Sequence, residues 1–120
     1  MINIMKSDNF DLEDRTFRFA KSTAILCKEF CKSFNMQDYV RQLLRSSSSV
    51  GANYIEANES LGKKDFLMRI RICIKEAKES SYWIRLILEI NQEYKNELLK
   101  LYNEAIELKK IFCTIILNSK

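Results

Sequence analysis

The sequence predicts an all-α protein, an up-down-up-down antiparallel four-helix bundle. Its 120 residues include two glycines and no proline, and a sheet protein needs more of these turn-forming residues. Apolar residues recur at alternating intervals of three and four along four segments, which is the period of an amphipathic helix. The breaks at 35–37, 61–63 and 92–95 are short, and short connections make neighbouring helices antiparallel. At this length we expect residues 1–120 to form one domain.

The first helix is predicted at about 12–34. Its core-facing stripe combines apolar residues with two threonines: Leu12, Thr16, Phe19, Thr23, Leu26 and Phe30. The polar run SFNMQD then interrupts the pattern, and Asn35 or Asp38 can cap the next helix.

The second helix, predicted at about 37–60, crosses a stretch that looks like a linker. Residues 46–60 read SSSSVGANYIEANES, and serine, glycine and asparagine are typical of loops. The helical spacing nevertheless continues through the serines, along Val40, Leu43, Ser47, Val50, Tyr54, Ala57 and Leu61. We therefore interpret the segment as a helix whose small side chains, including Ser47 and Ser49, let the third helix pack closely.

The third and fourth helices are predicted at about 63–92 and 95–117. The stripe of the third helix is Phe66, Ile70, Cys73, Ala77, Ser80, Ile84, Ile87 and Asn91. The stripe of the fourth helix is Leu98, Leu101, Ala105, Leu108, Phe112 and Ile115. An antiparallel turn near Gly62 brings residues 47–53 level with residues 76–83. Across that contact Asn53 can donate to a carboxylate, and Arg45 or Arg85 can pair with another.

Composition places the chain among folded proteins, because 47% of residues are hydrophobic and 30% are charged. The N-terminus lacks the long apolar run of a signal peptide, and no apolar stretch is long enough to span a membrane. We therefore expect a cytoplasmic protein with reduced cysteines. The net charge of +4 permits a nucleic-acid partner without requiring one.

Catalytic and metal chemistry find little support in the residues. The chain has no histidine, the commonest general base and a common metal ligand. Glu76 and Glu79 are three residues apart, but helical di-metal sites also use a histidine. The four cysteines contain only one close pair, and free cysteines are usually buried; they are Cys27, Cys31, Cys73 and Cys113. We expect no enzymatic activity, no metal and no cofactor.

Basic residues are the remaining functional feature, and they concentrate on two helices. The third helix carries Lys63, Lys64, Arg69, Arg71, Lys75 and Lys78. The first helix adds Arg15, Arg18 and Lys21. In one monomer such charges are usually a solvated surface, but repeated around an oligomer they can hold phosphates without reading sequence. Aromatic residues lie mostly on core stripes, so base stacking is not expected.

Residues 42–88 carry a nearly continuous motif across the middle two helices: Arg45, Ser46, Ser49, Val50, Ala52, Asn53, Glu56, Ala57, Asp65, Phe66, Lys75, Glu76, Ala77, Glu79, Tyr82 and Trp83. At these positions the segment resembles the four-helix-bundle family encoded by 23S ribosomal RNA intervening sequences. Leu44 departs from the pattern, since it replaces one of two paired arginines, and residues 61–63 replace a serine-containing run.

The resemblance implies a bundle that assembles into a homo-oligomeric ring, typically a pentamer. Related accessory proteins of diversity-generating retroelements form a basic barrel that binds nucleic acid and a reverse transcriptase. Two hypotheses follow. The chain is a non-enzymatic oligomer that binds nucleic acid, with structured RNA expected, or it is an oligomeric scaffold for a protein partner and its basic surface is incidental.

Overall fold

The computed structural model describes residues 2–30 and 36–119, with side chains from residue 11 onward. The described residues form four helices and no strand: α1 (Ile2–Phe30), α2 (Gln37–Asn58), α3 (Lys63–Ile90) and α4 (Lys95–Asn118). The predicted all-α four-helix fold is confirmed.

The start of α1 differs most from the prediction. The helix begins at Ile2, ten residues before the predicted start at Leu12. Residues 2–11 contain no proline or glycine, so nothing in the sequence stops the helix from extending backwards. The predicted end at 34 lies outside the described residues.

The link between α2 and α3 corrects one predicted core position. Helix α2 ends at Asn58, and the Ser60 hydroxyl donates a 2.7 Å hydrogen bond to the Ala57 carbonyl. The chain then leaves the helical path, so Leu61 lies in the loop and is fully exposed. Its assignment to the α2 stripe was wrong, because helical spacing alone does not show where a helix ends.

The predicted stripes otherwise form the core. Helix α3 packs extensively against both α2 and α4, and α1 packs on α2. The contact between α1 and α4 involves far fewer residues. The most deeply buried large side chains come from α2, α3 and α4: Tyr54, Phe112, Leu43, Ile70, Ile84, Ile87, Leu98 and Leu108. Among the described residues, no helix is long and apolar enough to cross a membrane.

The serine run is helical, as predicted, and its small side chains allow close packing. Ser46 and Ser80 are fully buried, and their hydroxyl oxygens lie 2.9 Å apart between α2 and α3. On the α1 side, a Cβ atom at Gly51 would lie 3.0 Å from the Thr16 Oγ1 atom. Ser46 therefore contacts α3 directly. Of the two serines predicted for that contact, Ser47 is buried and Ser49 is only partly buried.

Candidate nucleic-acid interface

The inward side of α3 carries charged residues that are paired across the α2–α3 contact. The Arg45 guanidinium donates to both carboxylate oxygens of Glu76, at 3.1 and 3.3 Å, and also contacts Glu79. Glu76 is only 8% exposed. The two hydrogen bonds from Arg45 therefore satisfy both oxygens of a nearly buried carboxylate. Of the two arginines considered from the sequence, Arg45 makes this pair, and Arg85 lies exposed.

A second polar contact joins α2 and α3 about two helical turns closer to the loop that connects them. Arg69 Nη1 donates to Asn53 Oδ1 at 3.1 Å, while Asn53 Nδ2 donates to the Ser49 carbonyl and hydroxyl, both at 2.9 Å. Asn53 thus accepts from an arginine, and the expectation that it donates to a carboxylate was wrong. Arg69 is partly buried and bonded to Asn53. It therefore does not belong to the exposed cations of α3. Glu56 is exposed.

The outward side of α3 carries four exposed cations, which we call the basic face: Lys64, Arg71, Lys75 and Lys78. They are spaced by seven, four and three residues, which places them on one side of the helix. Among the described residues, none of the four lies within 4.0 Å of a carboxylate. The face spans about 21 Å at the helical rise per residue. Lys63, at the helix start, is also exposed.

Two of the four basic residues of α1 whose side chains are described are neutralised, Arg15 and Arg18, and Lys21 and Lys28 are not. Arg15 donates from Nε and Nη2 to the two Glu104 oxygens at 2.7 and 2.8 Å, and this hydrogen bonding raises the pKa of the Arg15 guanidinium. Arg18 pairs with Asp14 at 3.0 Å. Lys21 is exposed and makes no ion pair within the described part of the chain. The two predicted basic surfaces are therefore unequal, and α3 carries the larger unpaired charge.

A groove of about 660 Å³ lies between α1 and α4, where these helices are least closely packed. Arg15 and Arg18 line it together with Glu97 and Glu104. Because its rim combines both signs of charge, the groove is a poorer phosphate site than the basic face.

The aromatic residues do not all lie in the core. Most of the described aromatic side chains lie in or against the core, as expected, but Tyr82 is 60% exposed and Phe17 is 64% exposed. Trp83, next to Tyr82, is partly buried and stacks on Tyr39 with ring centroids 6.2 Å apart. The exposure of Tyr82 could have been found from the sequence, since it continues the spacing of Lys75 and Lys78.

The cysteines pack in or near the core. Cys27 and Cys73 are buried, Cys113 is partly buried, and Cys31 lies outside the described residues. Burial raises the pKa of the Cys73 thiol to about 12, and the thiol contacts the Val50 carbonyl at 3.4 Å. Within the described part of the chain, no group of three or more histidine, cysteine, aspartate or glutamate side chains is placed to hold a metal ion.

Comparison with known proteins places the chain in context. The family model of the 23S rRNA-intervening sequence proteins matches residues 8–114. A solved structure from Bacteroides thetaiotaomicron VPI-5482, a protein with unknown function from the S23 ribosomal protein family, is 30% identical, with a TM-score of 0.78. That similarity covers 88% of this chain and 97% of the other. No curated protein matches the chain significantly.

Proposed function

Since this chain belongs to the 23S rRNA-intervening sequence protein family, we propose that it is a non-enzymatic, cytoplasmic protein that self-associates and binds structured RNA through phosphate contacts. Family membership confirms the resemblance seen in residues 42–88 and leaves the biochemical activity open. The observation that carries the proposal is the basic face, where four cations point away from the core and none is neutralised by a carboxylate within the described residues.

Phosphate binding follows from this arrangement of charge. Each lysine or arginine that neutralises a phosphate releases a condensed counterion, so affinity depends strongly on salt and little on sequence. Four phosphate contacts per subunit correspond to a log–log salt slope of about −2.8 on single strands and about −3.6 on a duplex. In a ring, copies of the face on neighbouring subunits would act together and steepen this slope.

Self-association is supported by apolar side chains left exposed on all four helices. They include Phe17, Ile25, Ile55, Met68, Ile90, Leu99 and Leu117. Such residues favour contacts between protein surfaces, and the pentameric ring implied by the family resemblance would cover some of them. Light scattering at micromolar concentration tests this point, and a stable mass near 14.2 kDa would exclude the ring.

The same exposed residues favour the second candidate function, a scaffold for a protein partner. The two candidates respond differently to salt. Binding through phosphates weakens steeply as salt rises, whereas an apolar protein interface hardly responds.

The decisive experiment is the triple variant Lys64→Gln, Arg71→Gln and Lys75→Gln, tested for RNA binding over a salt series. We expect binding at low salt to fall at least about tenfold on unrelated sequences alike, and the slope to flatten by about 2 per subunit. A matched control removes three exposed cations elsewhere, at Arg41, Lys95 and Lys110. This control lowers the net charge equally and should keep most of the affinity.

Equal losses in the two triple variants would show that net charge, not this face, drives binding. If the basic-face variant binds RNA as tightly as the parent, the phosphate site lies elsewhere, and Lys21 on α1 becomes the next position to replace. If the parent protein does not bind RNA at low salt, the scaffold function is favoured.

A further inference from the structure

We propose that Tyr82 provides a base-stacking surface at one end of the basic face, so that this site prefers nucleic-acid segments with unpaired bases over duplex. The inference rests on the proposed function and names the substrate class of the same site. Within a structured RNA, the preferred targets would be loops, bulges and single-stranded ends.

The position of Tyr82 connects the ring to the cations. Tyr82 follows Lys78 by four residues and precedes Arg85 by three, and helical residues at these spacings are neighbours on one side of the helix. Both neighbours are exposed. The ring therefore lies in the same row as the basic face, with a cation about one helical turn away on each side.

The ring is also held in place before any ligand binds. It makes an edge-to-face contact with Trp83, with centroids 5.1 Å apart and planes at 79°. Trp83 is itself stacked on Tyr39 of α2, with the two planes at 27°. Because these contacts restrain the Tyr82 side chain, less conformational freedom is lost when a base stacks on it. At 60% exposure, much of the side chain is still open to a ligand.

Stacking distinguishes unpaired from paired bases, whereas phosphate contacts do not. A base inside a duplex is covered on both sides by its neighbours, so a side chain can stack on it only if it leaves the helix. Proteins that bind single strands combine a line of cations with exposed aromatic rings, and each stacked base contributes a measurable share of the affinity. The α3 surface has both components.

The test compares two probes, a short unstructured RNA and the same strand annealed to its complement. Tyr82→Leu and Tyr82→Gln remove the ring. Each should weaken single-strand binding about 5- to 150-fold, the range measured for loss of one stacked base, and duplex binding by less than about twofold. Tyr82→Phe keeps the ring and should lose less than about threefold on the single strand. Phe17→Leu, an equally exposed aromatic on α1, controls for loss of an aromatic away from the site.

Fluorescence gives a second readout that is independent of affinity. Trp83 is the only tryptophan and contacts Tyr82. A base stacked on Tyr82 should therefore quench the fluorescence of Trp83. At saturating single-stranded RNA, quenching should persist in Tyr82→Phe and fall by more than half in Tyr82→Leu. Because all of the protein is bound at saturation, the remaining quenching reports where the base lies and does not depend on the affinity.

The outcomes separate this inference from the function on which it rests. If the parent binds neither probe at low salt, both proposals are overturned. If the parent binds both probes but the ring-less variants bind them as the parent does, or lose affinity for both equally, the stacking surface is overturned and phosphate binding stands. Because the side chain is mostly exposed, the ring-less variants should keep the parent's melting temperature, which shows that any loss is not caused by unfolding.

Discussion

The two sides of α3 use similar charged residues for different purposes. On the inward side, Glu76 and Glu79 pair with the Arg45 guanidinium. Arg69 donates a hydrogen bond to Asn53. On the outward side, the four cations of the basic face have no carboxylate within ion-pair distance among the described residues. One helix thus carries charges that hold the bundle together and charges that are available to a ligand.

A charged residue is therefore best interpreted by its position around the helix. A carboxylate that is nearly buried must be paired, because an unpaired buried charge costs several kcal/mol. An exposed cation is already solvated, so it can stay unpaired at little cost to stability. Substitutions on the inward side should therefore change stability, and those on the outward side should change binding.

The largest effect is expected where two buried serines meet between α2 and α3. Ser46→Leu forces a large side chain against Ser80, where both residues are fully buried and their hydroxyls are 2.9 Å apart. Overpacking of this kind should destabilise the protein by about 3 kcal/mol, measured by urea unfolding. Ser48→Leu is the matched control, since Ser48 is exposed and should change stability little. Equal effects at the two positions would contradict the close-packing account.

A smaller effect is expected when the inward ion pair loses its arginine. Arg45→Met keeps an aliphatic side chain but leaves Glu76 and Glu79 without their partner. The cost should be about 2 kcal/mol, below that of a fully buried pair because Arg45 is about half exposed. Arg41→Met breaks the pair with Asp38, in which both side chains are exposed, and should cost at most about 0.5 kcal/mol. Thermal unfolding that ranks the two variants equally would refute a structural role for Arg45.

The smallest effect on stability is expected on the outward side. The triple variant Lys64→Gln, Arg71→Gln and Lys75→Gln should change the free energy of unfolding by less than about 0.5 kcal/mol, because these exposed residues make no ion pairs within the described chain. The same protein sample can then be used for RNA binding. A loss of stability comparable to that of Arg45→Met would erase the distinction between the two sides of α3.

Much of the fold could be predicted from the sequence. The stripes of α3 and α4 become buried almost residue for residue, because burial in a bundle follows the helical period. The polar link between Arg45 and Glu76 could also be anticipated, since an antiparallel turn fixes which levels of α2 and α3 meet. The start of α1 could not, because residues 2–11 contain neither a stripe nor a stop signal.

The candidate site was less predictable. The cations of α1 and α3 look alike in the sequence, yet Arg15 is neutralised by Glu104, 89 residues away along the chain. The contact between Ser46 and Ser80 depends on how α2 is rotated about its axis.

The helices, the buried stripes and the family could be found from the sequence alone, because these depend on periodicity and on motifs carried within single segments. Only the packed structure shows which cations are paired and that Ser46 contacts Ser80 of α3. These features depend on the rotation of each helix about its axis and on lateral neighbours from distant segments. That arrangement is fixed only when all the side chains pack together.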